Sequence, residues 1–196
     1  APELIVTELR PYRSRGDTGT WFRDDTVPAY LEERLKKFRY SGIGEFHLYG
    51  ADADLPVPRR MVQLAKQYNL FLHAHSDADA VERLFKQWPE ARILWAHAGF
   101  DQPANVRDML RRHRNLWADL AFRTDHGSGG KVDAEWRKAF LEFPERFADG
   151  FALEEAFRLN AERGEYGPGD VEELVRARVE LARRFDVEKR RLQEEK

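Results

Sequence analysis

The chain has 196 residues, of which 42% are hydrophobic, and this is enough for one sizeable core. Charged residues make up 35% of the sequence, but the formal net charge is only −2, which argues against a nucleic-acid or anionic-membrane partner. Cysteine is absent, which excludes disulfides and thiolate ligands, and no membrane-length apolar run or signal peptide is visible, so we expect a cytoplasmic protein.

Five stretches of the chain have the apolar or β-branched composition of strands. The first is ended by Pro11, and a polar, glycine-containing loop follows it. The predicted strands lie within residues 3–9, 42–47, 70–77, 93–99 and 115–122.

Helical patterns separate these strands. Pro28 stands in the first turn of the first helix, and Asp77 or Asp79 caps the third, which Pro89 ends. Further helices are predicted at residues 54–68, around Val106, Met109 and Leu110, and at residues 133–143. A long amphipathic helix opens at a capping box near residue 170.

The alternation of strand and helix, at about 25 residues per unit, predicts a parallel α/β fold. We expect an incomplete, TIM-like (β/α) barrel of about five strands over residues 1–152, with extra C-terminal helices over residues 153–196 packing on it. An open doubly wound sheet is the alternative, but no glycine-rich phosphate loop follows the first strand. Residues 123–131 are polar and glycine-rich, and they predict a loop.

Four of the six histidines stand at the ends of predicted strands. Because alternate side chains of a strand share a face, His73 and His75 project together, and so do Glu45 and His47. If the strands are parallel neighbours, these ends converge with that of the strand carrying His97. Neutral imidazoles beside a carboxylate suit a divalent metal, with zinc favoured and manganese or iron as alternatives.

We therefore predict that His75 and His97 are metal ligands, that Glu45 is a third ligand or a base, and that Asp119 is an alternative base. Each residue also has a structural interpretation, as a histidine or carboxylate hydrogen-bonded at the rim of the sheet, or as a helix cap in the case of Asp119.

The other two of the four strand-end histidines, His73 and His47, are further candidates for the metal site. They would act as direct ligands or as partners that orient the ligands, and a purely structural role is the competing interpretation.

Several short motifs occur in an order and spacing that together resemble the amidohydrolase superfamily, in particular its amidohydrolase-related, metal-dependent hydrolase branch, over residues 2–147. The motifs are GIGE at 42–45, LHAH at 72–75, ILWAH at 93–97, LWAD at 116–119 and FPERF at 143–147.

The resemblance implies a distorted TIM barrel that binds one or two divalent metals, where the metal acidifies a bound water and an aspartate takes its proton. In that pattern the ligand of the fifth strand falls on His75 and the ligand of the sixth on His97. A carboxylate or substrate-facing group of the fourth strand falls on Glu45, with His47 beside it.

The chain also departs from the family. No His-x-His pair precedes Glu45, so the sequence is expected to start at the family's third strand. When Gly150 is matched to the glycine of the family's last strand, the catalytic aspartate's position is Ala152, and Asp149 is out of register. These departures predict an impaired or incomplete site.

Residues 157–170 resemble a segment of PAS-type sensor modules, which suggests a chimeric, designed or rearranged chain. Two main hypotheses follow. The first is a metal-dependent hydrolase with a small-molecule substrate, and the second is a non-catalytic, barrel-derived structural or interaction protein. A signalling module is a third idea. Open edges of a five-stranded sheet invite pairing with another copy, which predicts either a homodimer or a helix laid across the gap.

Overall fold

The computed structural model describes residues 7–128 and 131–148, and the chain divides into two compact units, Ala1–Asp119 and Leu120–Lys196. The predicted domain boundary at residue 152 and the predicted helices of residues 153–196 lie outside the described residues. The start of the first predicted strand, residues 3–6, lies outside them as well.

The first unit contains one parallel sheet whose strands stand side by side in the order in which they occur along the chain. Such an order is that of a barrel wound in one direction, whereas a doubly wound sheet reverses its order at a switch point. The predicted α/β, partial TIM-like architecture is therefore confirmed, and among the described residues of this unit the sheet is open. The strands are β1 (Glu8–Leu9), β2 (Gly42–Leu48), β3 (Phe71–Ser76), β4 (Ile93–Trp95) and β5 (Leu116–Asp119).

Helices connect the strands of this unit, and their starts follow local sequence signals. Proline occupies the first turn of the first, second and fourth helices, while the Asp77 side chain caps the third by accepting a hydrogen bond from the Ala80 N–H at 2.8 Å. The helices are α1 (Val27–Lys37), α2 (Pro56–Gln67), α3 (Ala78–Gln87) and α4 (Pro103–Arg112).

The two faces of β3 differ in burial. Leu72 and Ala74 are fully buried, whereas His73 and His75 alternate with them and are half-buried on the opposite face. This is the period of two that a strand imposes, and it places both imidazoles on the same side of the sheet, as the sequence predicted.

A bulge in β2 positions Glu45. Gly44 pairs with His73 and Phe46 pairs with Ala74, so Glu45 is the extra residue between them. The two strands approach closely here, because a Cβ built on Gly44 would lie 2.4 Å from the His73 Cβ. Only glycine fits that position.

The second unit contains a short antiparallel pair, one helix and a two-residue strand among its described residues. The pair is β6 (Gly127–Ser128) with β7 (Lys131–Val132), the helix is α5 (Ala134–Glu142), and the strand is β8 (Phe147–Ala148). The prediction of a plain loop over residues 123–131 is therefore wrong in part, because β6 and β7 pair there.

The buried side of the second unit is aromatic. The Phe147 ring lies 5.0 Å from the Phe140 ring and 6.4 Å from the Trp136 ring, centroid to centroid. This packing explains the strand at Phe147–Ala148, which is too short to be predicted from its own residues. None of the helices in the described ranges has the length and apolar content needed to cross a membrane.

Candidate metal centre

Three potential metal ligands meet at the carboxyl ends of the central strands. Glu45, His75 and His97 each offer one ligand atom, and these atoms lie within 4.8 Å of one another. His75 Nδ1 is 2.9 Å from Glu45 Oε1, and His97 Nε2 is 3.6 Å from the same oxygen. The structure therefore brings together the residues that the sequence predicted as the centre of the site.

The backbone after β4 turns His97 toward this cluster. The sequence predicts His97 on a strand, but β4 ends at Trp95, and His97 has a φ of 55° in the left-handed region. Ala98, Gly99 and Phe100 continue with φ values of 47°, 60° and 54°. Four successive residues in this region form a strained turn, since the left-handed conformation costs about 1–2 kcal/mol per non-glycine residue.

Asp119 ends β5 and holds that turn in place. Its Oδ1 accepts a hydrogen bond from the His97 backbone N–H at 3.1 Å, and the same oxygen lies 3.3 Å from His97 Nδ1. Its Oδ2 lies 4.0 Å from His73 Nε2. The carboxylate therefore faces the histidines, as the prediction of a base requires.

His73 pairs with a residue that the sequence analysis missed. Its Nδ1 lies 2.9 Å from Oε2 of Glu8, which belongs to β1. Burial alone would lower the pKa of His73, but the Glu8 hydrogen bond and the charges of Glu8, Glu45 and Asp119 outweigh it, so the pKa is raised. The signal that could have found Glu8 is its place at the end of the first strand, on the edge where the other site residues gather.

His47 stacks on His75, with 4.0 Å between the ring centroids and 27° between the ring planes. Burial, followed by the neighbouring His75, lowers its pKa, so the ring is neutral at physiological pH. Its Nδ1 is buried, and among the described residues no hydrogen-bond partner reaches it. The backbone of His47 is anchored by Trp21, whose Nε1–H donates to the His47 carbonyl at 2.9 Å.

Glu45 is ionised in this setting. Burial raises the pKa of its carboxyl, but the His75 hydrogen bond and the charges of His73, His75 and His97 lower it by more. The Tyr12 hydroxyl donates to the Glu45 carbonyl at 2.9 Å, a contact across 33 residues that also escaped the sequence analysis.

Comparison with known protein families shows which family the chain belongs to. A family model described as Amidohydrolase matches residues 7–162, which is most of the chain. The chain belongs to the amidohydrolase family. Comparisons with curated proteins and with solved structures returned no significant match.

The match to the family model extends past residue 147, where the resemblance seen in the sequence ended, and it covers the beginning of residues 157–170. The PAS-type segment, and with it the idea of a chimeric chain, remains a prediction that lies outside the described residues. Asp149 and Ala152, the two candidates for the family's last aspartate, also lie outside them.

Amidohydrolases typically bind divalent metals, and the donor set here fits such an ion. Two imidazoles and one carboxylate are the ligands of catalytic zinc sites in which water or substrate takes a further position. The carboxylate of Glu45 is ionised and already within 4 Å of both imidazoles, so little rearrangement would be needed to share a cation.

Two aromatic rings border the candidate site. Phe100 closes the left-handed turn, and its ring centroid lies 5.1 Å from that of His97 and 5.9 Å from that of His75. Tyr49 follows β2, and its ring meets the His75 ring edge-on at 6.3 Å. Both were passed over in the sequence analysis, although each comes shortly after the end of a predicted strand.

Proposed function

We propose that this chain is a metal-dependent hydrolase of the amidohydrolase type, acting on a C–N, C–O or related bond of a small-molecule substrate. The observation that supports the proposal most is that the ligand atoms of Glu45, His75 and His97 lie within 4.8 Å of one another. Zinc is the metal we propose first, and manganese or iron are the alternatives, since all three accept imidazole and carboxylate ligands.

A divalent metal held by these residues would acidify a coordinated water and polarise the bond to be cleaved. The chain supplies the rest of the chemistry. We assign Asp119 as the general base, because its carboxylate is fixed by the His97 N–H at 3.1 Å and faces the cluster. Glu45 would take this role if it is not a ligand.

The flanking histidines are proposed to orient the central residues, with direct coordination as the alternative. His47 supports the His75 ring by stacking on it, and His73 lies between Glu8 and the Asp119 carboxylate. Loss of a residue that orients a metal ligand by hydrogen bonding typically costs about 10–100-fold in metal affinity or activity, and that range is the reference for His73 and His47.

One observation favours the alternative of a non-catalytic, barrel-derived structural or interaction protein. His75 pairs with Glu45 and His73 pairs with Glu8, both at 2.9 Å, so these imidazoles and carboxylates satisfy one another without an ion. The cytoplasmic location, the small-molecule substrate and the homodimer also remain predictions.

Metal analysis of protein purified without an affinity tag separates the two proposals. The hydrolase proposal expects about one zinc, manganese or iron ion per chain, and a lower melting temperature after a chelator removes it. Binding at 100 times Kd would stabilise the fold by about 2.7 kcal/mol. Substoichiometric metal together with unchanged melting would contradict it and favour the non-catalytic protein.

Calorimetric titration of zinc into the apoprotein localises the ion. We expect His75→Gln and His97→Gln to abolish or strongly weaken binding. The control is His113→Gln, because His113 also pairs with a carboxylate, Glu82, at 3.0 Å, and its side chain is 17% exposed compared with 18% for His75. Equal loss in the control would show that binding is not at the proposed centre.

A further inference from the structure

Two aromatic side chains at the candidate site are among the exposed large hydrophobic residues of the first unit. The exposed fraction is 48% for Tyr49 and 52% for Phe100. Most other aromatic residues of the first unit are buried, as Trp21, Phe46 and Trp95 are. Of the three exposed rings in the described part of this unit, Tyr49 and Phe100 lie beside the potential metal ligands, and Phe38 follows α1. Exposed apolar groups that lie together commonly mark binding surfaces.

The sheet order places the two rings on either side of the central histidine strand. Tyr49 follows β2 and Phe100 follows β4, and these are the two neighbours of β3, which carries His75. Both rings contact the His75 ring, at centroid distances of 6.3 Å and 5.9 Å. They therefore border the place where a substrate would meet the site.

The backbone at Phe100 is also unusual. Its φ of 54° lies in the left-handed region, which a bulky side chain rarely adopts. Strained residues of this kind persist where the surrounding structure fixes them, and they cluster at ligand-binding sites. The turn thus presents an exposed aromatic ring beside His97 at a conformational cost.

We propose that Tyr49 and Phe100 are specificity-determining residues, which hold a flat aromatic group of the substrate next to the Glu45, His75 and His97 cluster. This proposal rests on the proposed function, because the bound aromatic group is part of a substrate only if the chain is a hydrolase. Aromatic rings favour each other in offset or edge-to-face contacts at centroid separations of about 4.5–7 Å, and the rings already meet His75 at such distances. A saturated ring of equal size would lack that preference.

The test compares binding of benzamide and cyclohexanecarboxamide to the metal-free full chain by ligand-observed NMR. We expect the wild type to bind benzamide roughly two- to tenfold more tightly than its saturated counterpart. Tyr49→Leu and Phe100→Leu keep apolar bulk but remove the ring, and each should reduce this ratio toward one. Phe38→Leu is the matched control, because Phe38 is 42% exposed but directly follows α1, and it should leave the ratio unchanged.

The outcomes separate this inference from the proposed function, because the first measurement needs no metal. Equal binding of the two amides by the wild type, or an equal loss of the ratio in Phe38→Leu, would overturn the inference. A retained preference for benzamide that both site variants lose supports it, even in a protein that fails to take up zinc. Melting curves of all three variants confirm that each is folded when the comparison is made.

Discussion

His75 Nδ1 and Glu45 Oε1 lie 2.9 Å apart, and the bulge in β2 brings them together. As the extra residue of that bulge, Glu45 is aimed differently from the residues on either side of it in β2. A carboxylate from one strand thereby reaches an imidazole of the next strand and the His97 ring beyond it.

The first prediction concerns the charge of Glu45. Glu45→Gln keeps the shape and removes the anion, so zinc affinity in a calorimetric titration should fall by more than the roughly 10–100-fold that is typical of residues outside the ligand set. Glu45→Asp should retain part of the affinity, because it keeps the carboxylate. A Gln variant that binds zinc as tightly as the wild type would exclude Glu45 as a ligand.

The second prediction tests the close approach of β2 and β3. In Gly44→Ala, the new methyl carbon would meet the His73 Cβ at 2.4 Å and the His73 carbonyl oxygen at 2.5 Å. We expect a loss of more than about 3 kcal/mol in the free energy of unfolding, measured in urea.

Gly19→Ala is the control for this substitution, since no atom lies within 4 Å of a Cβ added there. It should be neutral or stabilising by up to about 1 kcal/mol. Comparable destabilisation in both variants would mean that the strand contact at Gly44 is not the cause.

The third prediction concerns the start of α3. Asp77 Oδ1 accepts hydrogen bonds from the Ala80 N–H at 2.8 Å and from the Gly50 N–H at 3.0 Å, so it caps the helix and also ties down the loop after β2. Asp77→Ala should lower the free energy of unfolding by about 1–3 kcal/mol. Asp79→Ala removes a carboxylate that is 54% exposed and pairs with Arg83, and it should cost about 0.5 kcal/mol or less. The reverse order in thermal or urea unfolding would identify Asp79 as the cap.

The fourth prediction is a pH dependence in the second unit. The Arg123 guanidinium, donating hydrogen bonds to Asp125, lowers the pKa of that carboxyl from 3.8 to about 2. Because the pKa is lower in the folded state, the stabilisation is complete above pH 3.8 and is lost as the pH falls toward 2. Asp125 is half exposed, so the effect is reduced by solvent screening.

The indole N–H of Trp136 reports on this pair, because it donates to Asp125 Oδ2 at 3.4 Å. We expect the NMR signal of this N–H to show that the free energy of unfolding falls steeply between pH 4 and pH 2 in the wild type. The fall should be shallower in Asp125→Asn. Profiles of equal slope would show that the ion pair contributes no pH-dependent stability.

The strands and helices of the first unit could be predicted because their signals are local. A period of two in β3 and a proline or aspartate at each helix start depend only on nearby residues. The sequence left Asp77 and Asp79 open as the cap of α3, and the structure identifies Asp77. The histidines at the strand ends were found for the same reason.

The contacts that complete the site depend on register and turn geometry, which the sequence does not display. The Glu8–His73 pair spans 65 residues, and the placement of Glu45 requires the bulge opposite β3. The direction of His97 depends on a left-handed turn, whereas its apolar neighbours predict a continuing strand. The short strand at Phe147 likewise depends on packing against the Phe140 ring, a contact that the neighbouring residues in the sequence do not reveal.

The left-handed turn at residues 97–100 sets stability and function against each other. Glycine adopts this conformation at little cost, so replacing His97 with glycine would relieve backbone strain and at the same time remove the imidazole. Selection for stability alone would therefore favour replacement of a residue that the proposed metal site needs. Screens for stabilised forms of this chain should therefore hold His97 and Phe100 fixed and seek gains elsewhere.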